Sequence, residues 1–111
     1  MARSYIPQRG DIVYTNFSPT AGHEQAMRRP ALVLSLKSFN RTMKLALMAP
    51  ITSRIRNHGF EVLLDDSKTH GAILCHQIRM IDYRAREISL IEQCPKATLD
   101  DVLAKVRAIV Q

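Results

Sequence analysis

Apolar residues fall along the chain in short runs separated by clusters of Gly, Pro, Asn, Asp and Ser, the pattern of strands joined by turns. Arg9-Gly10-Asp11 reads as a turn, and Ile12 to Phe17 follow with strand composition. Ile12, Tyr14 and Asn16 would share one face of that strand, and Val13, Thr15 and Phe17 the other. Ser18 to Gly22 is turn chemistry, opening a polar loop that runs to Pro30. Ala31-Leu32-Val33-Leu34-Ser35 predicts a buried strand, with Pro30 at its entrance, where a missing N–H costs little. Lys37 to Arg41 suggests a short turn or one helical turn, and the apolar run Leu45 to Ile51 ends at Thr52-Ser53. A basic loop, Arg54 to Gly59, leads into a strand over Phe60 to Leu64 and a polar turn over Asp65 to Gly71. Ala72 to Cys75, the mixed stretch Ile78 to Asp82 and Glu87 to Ile91 complete the strand candidates.

The period changes at the C-terminus. Leu99, Val102, Leu103, Val106, Ile109 and Val110 follow helical spacing, which predicts an amphipathic helix. Thr98 is the expected N-cap, with Asp101 completing an approximate capping box. Asp100 and Asp101 near its start and Arg107 near its end would complement the helix dipole. Five or six short strands and a closing helix give an α+β class, mainly β: a small barrel or coiled sheet in a single domain, residues 1–111.

Composition narrows the picture. Apolar residues make up 46% of the 111, enough for one modest core. No run approaches the ~18 apolar residues of a membrane span, and Arg3, Pro7, Arg9 and Asp11 interrupt the N-terminus. Neither a transmembrane segment nor a signal peptide is expected, and the default location is the cytoplasm. Cys75 and Cys94 form no CxxC pair and are expected as reduced thiols.

The net charge of +6 is unevenly spread. Residues 1–60 hold nine Lys and Arg against two acids, whereas residues 61–111 hold seven against eight. An Arg-rich basic half points to a polyanion, and first to nucleic acid. Charge that only keeps the protein soluble is the competing explanation.

The loop from Gly22 to Pro30 concentrates the candidate chemistry, with His23, Glu24, Arg28 and Arg29. Cleaving an RNA phosphodiester needs a base for the 2′-OH, a proton donor for the leaving oxygen and positive charge over the transition state. Glu and His can fill the first two roles and Arg the third. A solvated loop in which Glu24 pairs with an Arg at the surface is the alternative. The hydroxyls of Thr52 and Ser53 could bind a phosphate or only satisfy a turn. Gln77 and Arg79 could read bases, or simply decorate an exposed strand. His58, His70 and His76 are scattered, no spacing resembles a zinc set, and no P-loop, GxGxxG or GxSxG is present. The aromatics Tyr5, Tyr14, Phe17, Phe39, Phe60 and Tyr83 are too few for a wide stacking platform.

Several stretches taken together resemble the MazF/PemK (Kid, ChpB) toxins of bacterial toxin–antitoxin modules. They are Arg9-Gly10-Asp11-Ile12-Val13, Phe17 through Gln25, and Arg29-Pro30-Ala31-Leu32-Val33-Leu34-Ser35. Phe39-Asn40, Ala49-Pro50-Ile51-Thr52, Gly59-Phe60-Glu61-Val62 and His76 through Asp82 continue the likeness in order. The resemblance implies an SH3-like (CcdB/PemK-type) barrel with a C-terminal helix, assembled as a homodimer. It implies ribosome-independent, sequence-selective cleavage of single-stranded mRNA to 2′,3′-cyclic phosphate and 5′-OH ends. It also implies a MazE-like antitoxin with an acidic, partly disordered tail that blocks the RNA groove. Such cleavage needs no metal or other cofactor.

By the same resemblance the family's catalytic Arg falls on Arg29 and its catalytic Thr on Thr52, while His23 and Glu24 match a substrate-handling loop. Arg28, Ser53, Arg54, Arg56, His76, Gln77 and Arg79 are the expected RNA contacts. One departure stands out. Some relatives carry Asp in place of His76, proposed as general base in the PemK/Kid branch, and Leu74 replaces an Arg proposed there as the acid. His76 or Glu24 could take the base role, since imidazole titrates near neutrality. A gyrase-poisoning toxin of the CcdB type is the rival. Such toxins end Trp-Gly-Ile, whereas this chain ends Ile109-Val110-Gln111 and contains no Trp.

Overall fold

The fold is set by strands that bury both of their faces. In the computed structural model, which describes residues 5–17 and 28–111, β1 (Asp11–Asn16) and β2 (Arg28–Val33) pair antiparallel. After α1 (Lys37–Met43), β3 (Ala46–Thr52) pairs with β2. β4 (Glu61–Leu64), β5 (Gly71–Leu74), β6 (Arg79–Ile81), β7 (Ser89–Gln93) and α2 (Lys96–Val110) complete the chain. The sheet order is β4-β5-β3-β2-β1-β7. On its other edge β3 pairs first with β6, through Ala46 to Met48, and then with β5, through Ile51 and Thr52. One long strand thus belongs to both halves of a strongly coiled sheet.

Successive residues of a strand point to opposite faces. Leu32, Leu34, Ala49 and Ile51 join Ile12, Val62, Leu64, Ile73 and Val102 in one buried cluster. Ala31, Val33, Ala46 and Met48 join Val13, Phe17, Ile81 and Tyr83 in a second. Burial on both faces is why these stretches read as nearly continuous apolar runs rather than alternating ones. The first cluster is covered by α2, where Val102 is buried and Leu99, Leu103 and Val106 pack against it. Gly10 permits that closure. Its φ of +96° suits glycine, whereas an added Cβ would make only an ordinary contact with Leu99, at 3.4 Å. Burial pushes the Cys75 and Cys94 thiols up to about 11, and both cysteines are free.

Four sequence expectations require correction. Among the described residues seven strands form instead of five or six, because the mixed stretch 78–82 supplies β6, held by its ladder to β3. β2 begins at Arg28 and not after Pro30: Arg28, Arg29 and Pro30 face Asn16, Thr15 and Tyr14. Their polarity reads as loop, but backbone pairing places them in the ladder. α2 begins at Lys96, so Thr98 is inside the helix and the N-cap is Pro95, which makes no side-chain capping bond. Proline's restricted φ suits a helix start, and the Cys94 N–H bonded to Gly10 O anchors the chain just before it. Asp100 and Asp101 consequently lie beyond the first turn and form i,i+4 pairs with Lys96 and Lys105. Arg107 stands in the last turn as expected. No helix among the described residues is long and apolar enough to cross a membrane.

A candidate nucleic-acid interface

Two clefts open on the same side of the barrel, and Arg29 and Thr52 line both. Arg29 sits on β2 opposite Thr15 of β1, so the sheet and not a loop fixes its backbone. Thr52 ends β3, and its Oγ1 accepts the Arg54 N–H at 3.1 Å, a bond that turns the chain into the loop over 53–60. The hydroxyl therefore satisfies a turn, and its own O–H remains available to donate. Gly71 lets β5 approach this point: a Cβ there would lie 2.4 Å from the Thr52 carbonyl oxygen.

The larger cleft, about 650 Å³, continues from Arg29 and Thr52 past Arg54, Arg56 and His58 to Glu61, Leu74, His76 and Gln77. Among the described residues three arginines face one carboxylate here, a field that favours an anion. That carboxylate is committed to the loop. Glu61 Oε1 accepts the N–H groups of Arg56 and Asn57, each at 2.9 Å, and its side chain is 2% exposed. Burial opposes its charge, but these N–H groups, helped by His58 and Arg56, outweigh that and hold the carboxyl below its ordinary value. Its Oε2 is buried without a hydrogen-bond partner among the described residues and lies 3.5 Å from His58 Nε2. The His58 ring meets the His76 ring edge-on, with centroids 4.7 Å apart and planes at 78°.

The smaller cleft, about 260 Å³, lies beyond the same Arg29–Thr52 wall and is bounded by Tyr14, Arg28, Ser53 and His70. The Arg28 guanidinium stacks 4.8 Å from the centre of the Tyr14 ring. Arg28, Arg29, Thr52, Ser53, Arg54, Arg56, His76 and Gln77 are thus gathered along one surface. Arg79 lines neither cleft. Its Nη1 donates to Phe17 O at 3.0 Å and its guanidinium lies over the Phe17 ring. His23 and Glu24 lie outside the described residues. Among the described residues no three His, Cys, Asp or Glu gather where they could hold a metal ion.

Sequence reasoning missed the Glu61–His58 element and the lining residues Tyr14 and His70. A signal for His58 existed. The β4–β5 hairpin sets Glu61 opposite Leu74, and the Cys75 N–H bonds Phe60 O, so extending the ladder brings residues 58–59 beside 76–77.

A small coiled barrel whose strand-borne arginine and strand-end hydroxyl divide an arginine-rich groove presents donors of the kind that suit a phosphate group. Comparison with known proteins specifies it further. Residues 8–110 match the family described as PemK-like, MazF-like toxin of type II toxin–antitoxin system. The chain is 39% identical over 110 residues to the endoribonuclease toxin ChpB of Escherichia coli K12, covering 94% of each. It is also similar to the crystal structure of MazF from Deinococcus radiodurans, with TM-score 0.87, 37% identity and coverage of 96% of this chain and 98% of that one. A MazE–MazF crystal structure from the same organism matches with TM-score 0.84, 31% identity and coverage of 96% and 97%. The chain belongs to the PemK-like, MazF-like family of type II toxins.

Proposed function

We propose that the chain, acting as one toxin domain over residues 1–111, is the endoribonuclease toxin of a type II toxin–antitoxin module. Its substrate is single-stranded mRNA, cut at selected sequences without the ribosome to leave 2′,3′-cyclic phosphate and 5′-OH ends. The observation that carries this reading is the shared wall: Arg29 and Thr52 face both clefts. A strand laid across the wall places one phosphate on it and a nucleotide in each cleft.

Arg29 then supplies a permanent positive charge to the phosphorane-like transition state, and the Thr52 O–H donates to a phosphate oxygen. Arg54, Arg56, Gln77 and His76 hold the strand on one side of the wall, and Arg28 and Ser53 on the other. His23 and Glu24 handle protons or position the substrate. Arg79, turned to Phe17, is the weakest of the RNA contacts. The toxin works in the cytoplasm as a homodimer. A MazE-like antitoxin is its partner, as the MazE–MazF complex of a similar protein suggests, and an acidic segment laid in the arginine-rich groove would neutralise the toxin.

The test is incubation of antitoxin-free protein with a long single-stranded RNA in EDTA, beside Arg29→Ala, with ends mapped by primer extension. Discrete cuts with cyclic-phosphate ends are expected from the wild type. Arg29→Ala should fold but cut at least ~10²-fold more slowly. An active, folded Arg29→Ala would overturn the role of Arg29, and a folded wild type that makes no cuts would overturn the enzyme itself.

A further inference from the structure

The residues between β4 and β5, Asp65 to His70, form a hairpin connection longer than the two-residue turns that fix their own geometry, and they include neither Gly nor Pro. Local turn chemistry does not dictate where such a segment stands. Its anchor comes from the far end of the sheet. Glu92, on β7, accepts the Thr69 N–H on Oε2 at 2.7 Å and the Lys68 N–H on Oε1 at 3.2 Å. β4 and β7 are the two ends of the sheet path, so one carboxylate ties the last strand to the hairpin across the seam of the barrel. Burial opposes the Glu92 charge, but the Thr69 hydroxyl and N–H, the Lys68 N–H and the Lys68 ammonium outweigh it and hold the carboxyl below its ordinary value.

The segment held in this way forms a rim of the smaller cleft, which His70 lines together with Tyr14, Arg28, Arg29 and Thr52. Thr69, just before it, is buried. Gly71, just after it, is the residue that lets β5 press on the Thr52 carbonyl, and Ala72 pairs with Thr52. The His70 backbone is thus fixed on one side by Glu92 and on the other by the β3–β5 ladder. The residue is exposed, and an imidazole offers a nucleobase both a flat face and a hydrogen-bonding edge. Glu92 itself lines neither cleft. What it controls is the stance of the rim, and so the space between His70 and the Arg29–Thr52 wall.

We propose that Glu92 is a positioning residue for nucleotide choice: by latching the β4–β5 turn it sets His70, and His70 discriminates among the bases that enter the smaller cleft. The inference rests on the endoribonuclease reading and concerns the nucleotide on one side of the scissile phosphate. Glu92 touches neither the RNA nor the reacting atoms; it acts through the turn. The bond pattern makes the latch sensitive to a conservative change. Each carboxylate oxygen takes one N–H, so Glu92→Gln keeps the shape but turns an NH₂ toward one of the two donors. Losing that bond loosens the turn without opening the β1–β7 ladder, in which the Glu92 backbone pairs opposite Ile12.

The experiment uses the antitoxin-free full chain and a single-stranded RNA pool randomised around one cut site, sequenced after cleavage by wild type, Glu92→Gln, His70→Ala and the double variant. KM and kcat on the preferred sequence, and amide exchange of Lys68 and Thr69 by NMR, are measured on the same folded proteins. In Glu92→Gln at least one of the two amides should exchange about 10-fold faster. Preference should weaken about 3- to 10-fold at the position that His70→Ala also flattens, and stay unchanged across the cut. KM should rise by a similar factor while kcat holds to within about twofold, the mark of lost binding and not of a lost transition-state contact. Adding Glu92→Gln to His70→Ala should change the profile little further, because the two act in series. An equal loss of rate on every sequence, with the profile unmoved, would reduce Glu92 to a barrel support while leaving the endoribonuclease reading intact, and so would additive effects in the double variant. Unchanged amide exchange in Glu92→Gln would overturn the latch. If the wild type cuts no RNA, the role in nucleotide choice falls with the enzyme, and amide exchange alone decides the latch.

Discussion

Asn40 and Glu61 are both polar side chains taken out of solvent, 0% and 2% exposed, and they organise different regions, the α1 turn and the loop before β4. Asn40, on α1, leaves nothing unpaired. Its amide donates to Pro7 O at 2.8 Å and Ser35 O at 3.2 Å, and its Oδ1 accepts the Ser35 hydroxyl. Its backbone carbonyl takes the Tyr83 hydroxyl and the Lys44 N–H. Glu61 satisfies one oxygen through the loop backbone and leaves the other facing His58. A fully satisfied buried hub fixes a scaffold, because every bond it makes is lost when the fold opens. A half-satisfied one retains interaction energy that a neighbouring group can use, which is the usual arrangement at a site.

The comparison breaks most visibly at Asn40. Asn40→Ala leaves the Pro7 carbonyl and the Ser35 hydroxyl without their partner, and should cost about 3 kcal/mol in urea unfolding. RNA cleavage by the fraction that stays folded should be unchanged. A loss below ~1 kcal/mol would end the claim that Asn40 is the scaffold's hub.

Gly71→Ala joins the two regions. Its Cβ would press on the Thr52 carbonyl, at a φ of +147° that a side chain rarely adopts. We expect about 2 kcal/mol of destabilisation together with slower cleavage, because the relief must move Thr52. Unaltered cleavage in a folded variant would show that Thr52 tolerates displacement.

The Glu61 carboxylate gives a pH signature in place of a large loss. Its folded value lies below the ordinary 4.5, so its stabilising contribution is present above that value and is lost as pH falls through the lower, folded one. The stability gap between wild type and Glu61→Gln should therefore close on acidification below 4.5, measured by thermal unfolding. A gap that stays constant with pH would mean the loop does not depend on the charge. Lys96→Ala marks the lower bound: its pair with Asp100 is exposed, with side chains 84% and 58% accessible, and no measurable change in stability is expected.

Much of this architecture could be read from the chain. The hydrophobic runs located the strand regions, and the shift to helical spacing placed α2 to within three residues of its start. The basic N-terminal half indicated an anionic partner, and the stretches around Arg29 and Thr52 pointed to the family. What escaped was set by contact between distant segments. Thr98 is a good capping residue on local rules, yet helix entry was decided by Pro95 and by the anchor of Cys94 on Gly10. Arg28 and Arg29 look like loop because their side chains are charged, and only pairing with β1 reveals them as strand. His58 looked like one of several scattered histidines until the hairpin register set it beside His76.

The sequence by itself determined the periodicities, the two apolar faces of the central strands and the sign of the charge carried by the first half. These are local quantities, encoded by side chains within a few positions of one another. Tertiary structure alone decided that Arg29, Thr52, Glu61 and His76 line one cleft. That meeting depends on the register of β2 on β3, β3 on β5 and β5 on β4. Register is chosen by burying both sheet faces at once, a condition no short stretch of chain contains.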